Sequence, residues 1–253
     1  MTVSDVFNLL NEKYDFSYTM HEDNVGLLVG SGDSEVKGIH LCLDLTDESL
    51  SDAIKNGANL IVTHHPVIFD GLKRVTDDSR IYKAIRNDIA IISAHTNLDA
   101  AEGGINHLLT KLLGLVNVVR PEGIGIFFIV GRVGELPEPM SADELAKKIS
   151  NVLNAHVTYV GENKAIKTLA ICSGGGGGLY KEALLTKADA YLTGDCKYDY
   201  FMHAHDIGHT LFDAGHFHTE DIIIPVVANL LRESFPDIPI TETHFCPIKH
   251  INI

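Results

Sequence analysis

Residues 37–65, KGIHLCLDLTDESLSDAIKNGANLIVTHH, read as strand, loop, helix and strand, with apolar runs on either side of a segment whose apolar residues recur at helical spacing. Sliding the chain by 130 residues lays 167–195, KTLAICSGGGGGLYKEALLTKADAYLTGD, over this stretch without a gap. Lys37 meets Lys167, Cys42 meets Cys172, Ala53 meets Ala183, Ala58 meets Ala188 and Thr63 meets Thr193. So few identities can arise by chance, but both stretches share one order of elements, and each ends in a polar cluster directly after its second strand.

The next strand extends the parallel. AHTNLD follows the strand at 89–93 and AGHFHTE follows the strand at 209–213, so at an offset of 121 His95 matches His216 and Asp99 matches Glu220. Each half therefore offers His-x-x-x-acid just past a strand. The pattern predicts an α/β fold of two similar lobes that face each other, each a sheet flanked by helices. The break at Pro121 divides the chain into a first lobe, 1–121, joined by the C-terminal segment 221–253, and a second lobe, 122–220. Further strands are expected at GIFFIVGRV (125–133), AHVTYV (155–160) and ITETHF (240–245), and a helix at 141–149 opens with a capping-box pattern, Ser141 and Glu144.

With 253 residues, 45% of them hydrophobic, the chain can bury a substantial core. Its net charge of -14 repels phosphate backbones and anionic lipid, so neither nucleic acid nor a membrane surface is an expected partner. Cys42, Cys172, Cys196 and Cys246 lie far apart and form no CxxC pair, which argues against a thiolate zinc site and a disulfide framework. The start, MTVSDVFNLLNEKYD, reads as a helix and not a signal peptide, and no apolar run is long enough to span a bilayer. The expectation is a soluble cytoplasmic protein.

The 14 histidines are the unusual feature of the composition. His64, His65, His95, Asp99, His216 and Glu220 all fall at the carboxyl ends of predicted strands, where side chains on βα loops converge. Histidine with carboxylate and no cysteine suits Zn, Fe, Mn or Ni. The adjacent pair His64 and His65, ahead of Pro66, fits two ions better than one, since neighbouring side chains on a strand diverge. Glu220 is then the natural bridging carboxylate; the alternative is that one histidine binds metal while the other packs behind it. Gly174 to Gly178 lack the residues of a phosphate-binding loop and read as a flexible turn. Asp195, Lys197 and Tyr198, at the strand end that matches His64 and His65, are candidates to meet substrate. No GxSxG pattern supports a serine nucleophile.

In order and spacing, THHPVIF, SAHTNLDAAEGGIN, TGDCKYD and DAGHFHTE resemble the motifs of the GTP cyclohydrolase 1 type 2 homolog family, also called the Ngg-interacting-factor-like family. The similarity covers essentially the whole chain. It implies two α/β lobes with a dinuclear metal centre in the cleft between them, and a toroidal homohexamer. Carried over by motif, the ligands are His64, His65, Asp99, His216 and Glu220, with Glu220 shared by both ions, and His95 lies beside them as a supporting group or proton carrier. Two positions depart from the pattern: Asp199, where many relatives carry histidine, and His218, where a small or polar residue is common.

The expected function is that of a metal-dependent hydrolase using two divalent ions on a small-molecule substrate. The resemblance implies a nucleotide, with hydrolytic opening of the guanine imidazole ring of GTP. A metal-dependent phosphoesterase or amidohydrolase, and a non-catalytic metal-binding hexameric scaffold, are the alternatives.

Overall fold

The computed structural model describes residues 1–162 and 164–249. In chain order the first elements are α1 (Val3–Tyr14), β1 (Gly26–Val29), β2 (Ile39–Cys42), α2 (Asp47–Lys55), β3 (Leu60–Thr63), α3 (Arg80–Arg86), β4 (Ala90–Ser93) and α4 (Thr96–Ala100). There follow α5 (Ile105–Leu112), β5 (Val116–Val119), α6 (Phe127–Val130), β6 (Arg132–Met140), α7 (Ala142–Leu153), β7 (Thr158–Val160) and β8 (Ile166–Ile171). The remainder is α8 (Tyr180–Leu185), β9 (Ala190–Thr193), α9 (Tyr198–Ile207), β10 (Thr210–Asp213), α10 (His216–Glu220), α11 (Ile224–Ser234) and β11 (Ile240–Thr243). They form two compact units, residues 1–98 with 223–249, and residues 99–222. The chain passes from one to the other between Leu98 and Asp99, well ahead of Pro121.

The first unit is built on a five-stranded sheet in the order β1-β4-β3-β2-β11. β2, β3, β4 and β11 run parallel, and β1 closes one edge antiparallel to β4. All four residues of β2, of β3 and of β4 are buried, as expected of parallel strands covered on both faces. Full burial of Leu60 or Ile61 stabilises the unit by about 1.5–3 kcal/mol each. α1 and α2 start at capping boxes, where Thr2 and Thr46 accept from the amides of Asp5 and Ser49.

The second unit holds a six-stranded sheet, β5-β6-β8-β9-β10-β7, with β8, β9 and β10 parallel and the outer strands antiparallel. β9 lies 130 residues after β3, as the repeat requires. β10 and α10 correspond to β4 and α4 at an offset of 120, so that His216 opens its helix whereas His95 precedes its own. Ser141 and Glu144 make the expected capping box at the start of α7.

Two readings of the sequence are corrected. The run 125–133 is not one strand: Phe127–Val130 forms a helical turn, and β6 begins at Arg132. A short apolar run carries no period to separate helix from strand, and the Phe127 amide is held by the Glu182 carboxylate at 2.7 Å. The glycine run is not a loose turn either. Gly174–Leu179 is a 3₁₀ helix with Gly174, Gly176 and Gly177 buried. β1 and β5 are additional strands at sheet edges, too short to announce themselves by alternation. Among the described residues no helix is long and apolar enough to cross a membrane.

Candidate metal centre

In the first unit, β3 ends at Thr63, and the next residues carry the adjacent histidines. His64 is buried, and its Nδ1 lies 2.9 Å from the Ala94 carbonyl, just past β4. A carbonyl can only accept, so Nδ1 carries the proton and Nε2 keeps the lone pair that can bind a metal. His65 Nδ1 faces Asp44 Oδ1 at 2.8 Å, and His95 Nδ1 faces Asp23 Oδ1 at 2.8 Å. Against ionised carboxylates both nitrogens again donate, and both rings present Nε2.

Ring centres of His64 and His65 are 4.9 Å apart, and those of His64 and His95 are 5.2 Å apart. One ligand atom from each of His64, His65 and His95 falls within 4.8 Å of the others, close enough to serve one ion. Asp23 is itself held by His95 and by the amide and hydroxyl of Thr96. Burial alone would raise its carboxyl, but hydrogen bonds from His95 and Thr96 outweigh that and hold it well below the usual carboxylate range. It therefore stays ionised and keeps the His95 tautomer fixed.

In the second unit, His216 and Glu220 are the first and last residues of α10, so their i,i+4 spacing puts both on one face. His216 Nδ1 faces Asp195 Oδ2 at 2.7 Å, while His216 Nε2 lies 3.0 Å from Glu220 Oε2. With Nδ1 donating, a lone pair on Nε2 and a carboxylate oxygen are both acceptors, and they need a proton or a cation between them. A separation of 3.0 Å is what two ligands at about 2.1 Å from one ion, roughly at right angles, would show. Asp99, also buried, accepts from the Ser173 hydroxyl at 3.1 Å, and its main-chain carbonyl accepts from Asn106.

Gly174 joins these parts. Its φ is +58°, and a Cβ there would lie 1.7 Å from Glu220 Oε1 and 3.0 Å from His216 Nε2. Only glycine both adopts that backbone and leaves space for the carboxylate. Its amide donates to Thr219 Oγ1 at 2.9 Å, latching α10 to the 3₁₀ helix. The same crowding explains why the repeat carries glycine at position 194 where the first unit has His64. A Cβ on Gly194 would come within 2.6 Å of the Gly174 carbonyl and 2.8 Å of the His216 amide.

Asp195, the counterpart of His65, adopts a left-handed φ of 54° and spends its carboxylate on His216. Lys197 caps the start of α9, and Tyr198 beside it is exposed. His218 packs edge-on against Phe217, with ring centres 5.5 Å apart. His203 and His209 pack on Tyr180. The supporting carboxylates Asp23 and Asp44 carry no motif. They lie 72 and 21 residues from the rings they hold, and a lone acid past a strand or in a loop gives no signal.

The sequence model of the Duf34/NIF3 (NGG1p interacting factor 3) family matches residues 1–250. The chain belongs to this family. A Clostridium perfringens member named GTP cyclohydrolase 1 type 2 homolog is 32% identical over 241 residues, covering 92% of each chain. Among solved structures of similar chains, a Staphylococcus aureus hypothetical protein superposes with a TM-score of 0.88 at 28% identity, covering 99% of both chains. Reduced HcgD from Methanocaldococcus jannaschii gives 0.85 at 27% identity, over 97% of this chain and 98% of that one. The two sheets flanked by helices are thus a family property. His64, His65 and His95 form a group able to hold a metal ion, and His216 and Glu220 set two donor atoms 3.0 Å apart.

Proposed function

We propose that the protein is a metal-dependent hydrolase of small molecules, holding two divalent ions from Zn, Fe, Mn or Ni through His64, His65, Asp99, His216 and Glu220. The observation that carries this reading is the shared posture of the imidazoles. His64, His65, His95 and His216 each spend Nδ1 on a carbonyl or carboxylate and so present Nε2, the arrangement that orients ligating histidines. Such ions supply a polarising charge and a nucleophile derived from water at neutral pH.

The chain's own residues do the rest. Asp44 and Asp195 fix the tautomers of His65 and His216, Ser173 donates to the Asp99 carboxylate, and Gly174 leaves room for that of Glu220. His95, its Nδ1–H committed to Asp23, has Nε2 to take up and return a proton at the substrate's leaving atom. Lys197 and Tyr198, exposed at the start of α9, are the candidates to meet substrate, with Asp195 assigned to His216. The names of the relatives favour GTP as substrate, and the family resemblance adds hydrolytic opening of its guanine imidazole ring. Four free cysteines suit a reducing compartment such as the cytoplasm, and the family resemblance favours a homohexamer.

An assay of the metal-loaded protein against GTP, other nucleotides and phosphoesters tests the reading. Formate release from GTP supports it in full, and turnover of another substrate alone replaces GTP. A fully loaded protein with no turnover on the whole panel leaves a metal-binding scaffold.

A further inference from the structure

Phe69 follows the histidine pair by four residues and is 60% exposed. Single exposed apolar side chains are common and need no explanation. This one is distinguished by its neighbours and by how its backbone is held. Its ring centre lies 6.0 Å from that of His95, with the planes inclined at 73°. His95 in turn packs on His64 and His65, with centres 5.2 and 5.7 Å away. Phe69 is therefore the apolar end of a cluster whose other three rings are the imidazoles.

The chain leading to it is pinned. Val67 N–H donates to Ser93 Oγ at 3.4 Å, and the Ile68 carbonyl accepts from Asn24 Nδ2 at 2.6 Å. Asn24 adjoins Asp23, which accepts from His95 Nδ1. Two consecutive side chains thus fix both His95 and the peptide immediately before Phe69. Residues 70–78 beyond it are exposed. An aromatic ring on anchored backbone, open to solvent and beside candidate metal ligands, has the features of a stacking platform, because any flat heterocycle offers it a π-face.

We propose that Phe69 is a specificity-determining residue that stacks on a planar heteroaromatic ring of the substrate beside His95. The proposal rests on the metal-dependent reading above and adds to it the residue that recognises the ring of the molecule bound.

The chain contains no tryptophan, so Phe69→Trp installs a single indole at the position in question. The metal-loaded variant is titrated with guanosine monophosphate and with ribose 5-phosphate, which lacks the ring. Saturable quenching by the nucleotide and none by the sugar phosphate is expected. In parallel, calorimetry on metal-loaded Phe69→Leu should show nucleotide binding weakened about tenfold relative to the parent, with metal content and oligomeric mass unchanged. Equal affinity in parent and Phe69→Leu overturns the proposal, as does a parent that retains metal but binds no nucleotide. A changed oligomeric mass in Phe69→Leu also overturns it, placing the ring in a contact between chains. Metal content, measured on the same samples, reports separately on the metal reading.

Discussion

His216 Nδ1 donates to Asp195 Oδ2 across 2.7 Å, and this one bond decides which nitrogen of the ring faces Glu220. Asp195 is exposed and takes no part in the core. Asp195→Ala should therefore weaken divalent-metal affinity about 10–100-fold while leaving the thermal midpoint of the metal-free protein nearly unchanged. Competition against a chromophoric chelator measures the first and a thermal melt the second. Unchanged affinity would show that the tautomer is set by something else.

Gly174→Ala should be costly in two ways. The left-handed φ of +58° penalises any side chain by about 1 kcal/mol or more, and the new Cβ would overlap Glu220 Oε1. Both a lowered thermal midpoint and a loss of bound metal are expected, by calorimetry and elemental analysis. A variant that melts lower but keeps its metal would separate Glu220 from the metal site.

His40 gives the fold a pH dependence away from the candidate ligands. It is buried in β2, with Nδ1 2.8 Å from Thr241 Oγ1 and with no hydrogen-bond partner for Nε2 among the described residues. Burial pushes its pKa below the ordinary 6.5, although the Asp52 and Glu242 carboxylates pull the other way. Because the folded value is the lower one, the unfolded chain takes up the proton first. This contribution is intact above 6.5 and is lost as pH falls from there toward the folded pKa. On chelator-treated protein, His40→Gln should therefore lose less thermal stability than the parent between about pH 7.5 and pH 5.5. Parallel losses in the two proteins would remove His40 as the cause.

The resemblance to the family carries an expectation of assembly. Light scattering coupled to size exclusion should give the mass of six chains, and a monomer or dimer would contradict it.

How much of this could be read in advance follows from where each signal lies. The repeat was legible because β3 and β9 keep an offset of 130 and both end in polar residues. The strand-end histidines and acids were legible for the same reason, since each follows an apolar run. The one-residue slip between α4 and α10 was not, because an offset of 121 aligns residue types whereas the helices themselves align at 120. The helical turn at Phe127–Val130 was hidden in an apolar run with no period. Asp23 and Asp44 were hidden because their roles arise from folding distant segments onto His95 and His65, which leaves no local pattern. The glycine run was visible, but its purpose was not. Gly174 is small because a carboxylate 46 residues later needs the space.

Elemental analysis of the untagged protein asks whether His64, His65, Asp99, His216 and Glu220 hold divalent metal, as proposed above. The parent, equilibrated with Zn, Fe, Mn or Ni and then desalted, should retain about two ions per chain, and Glu220→Ala should lose most of them. A parent that retains none of the four metals, or a Glu220→Ala protein that retains as much as the parent, would rule out this metal centre.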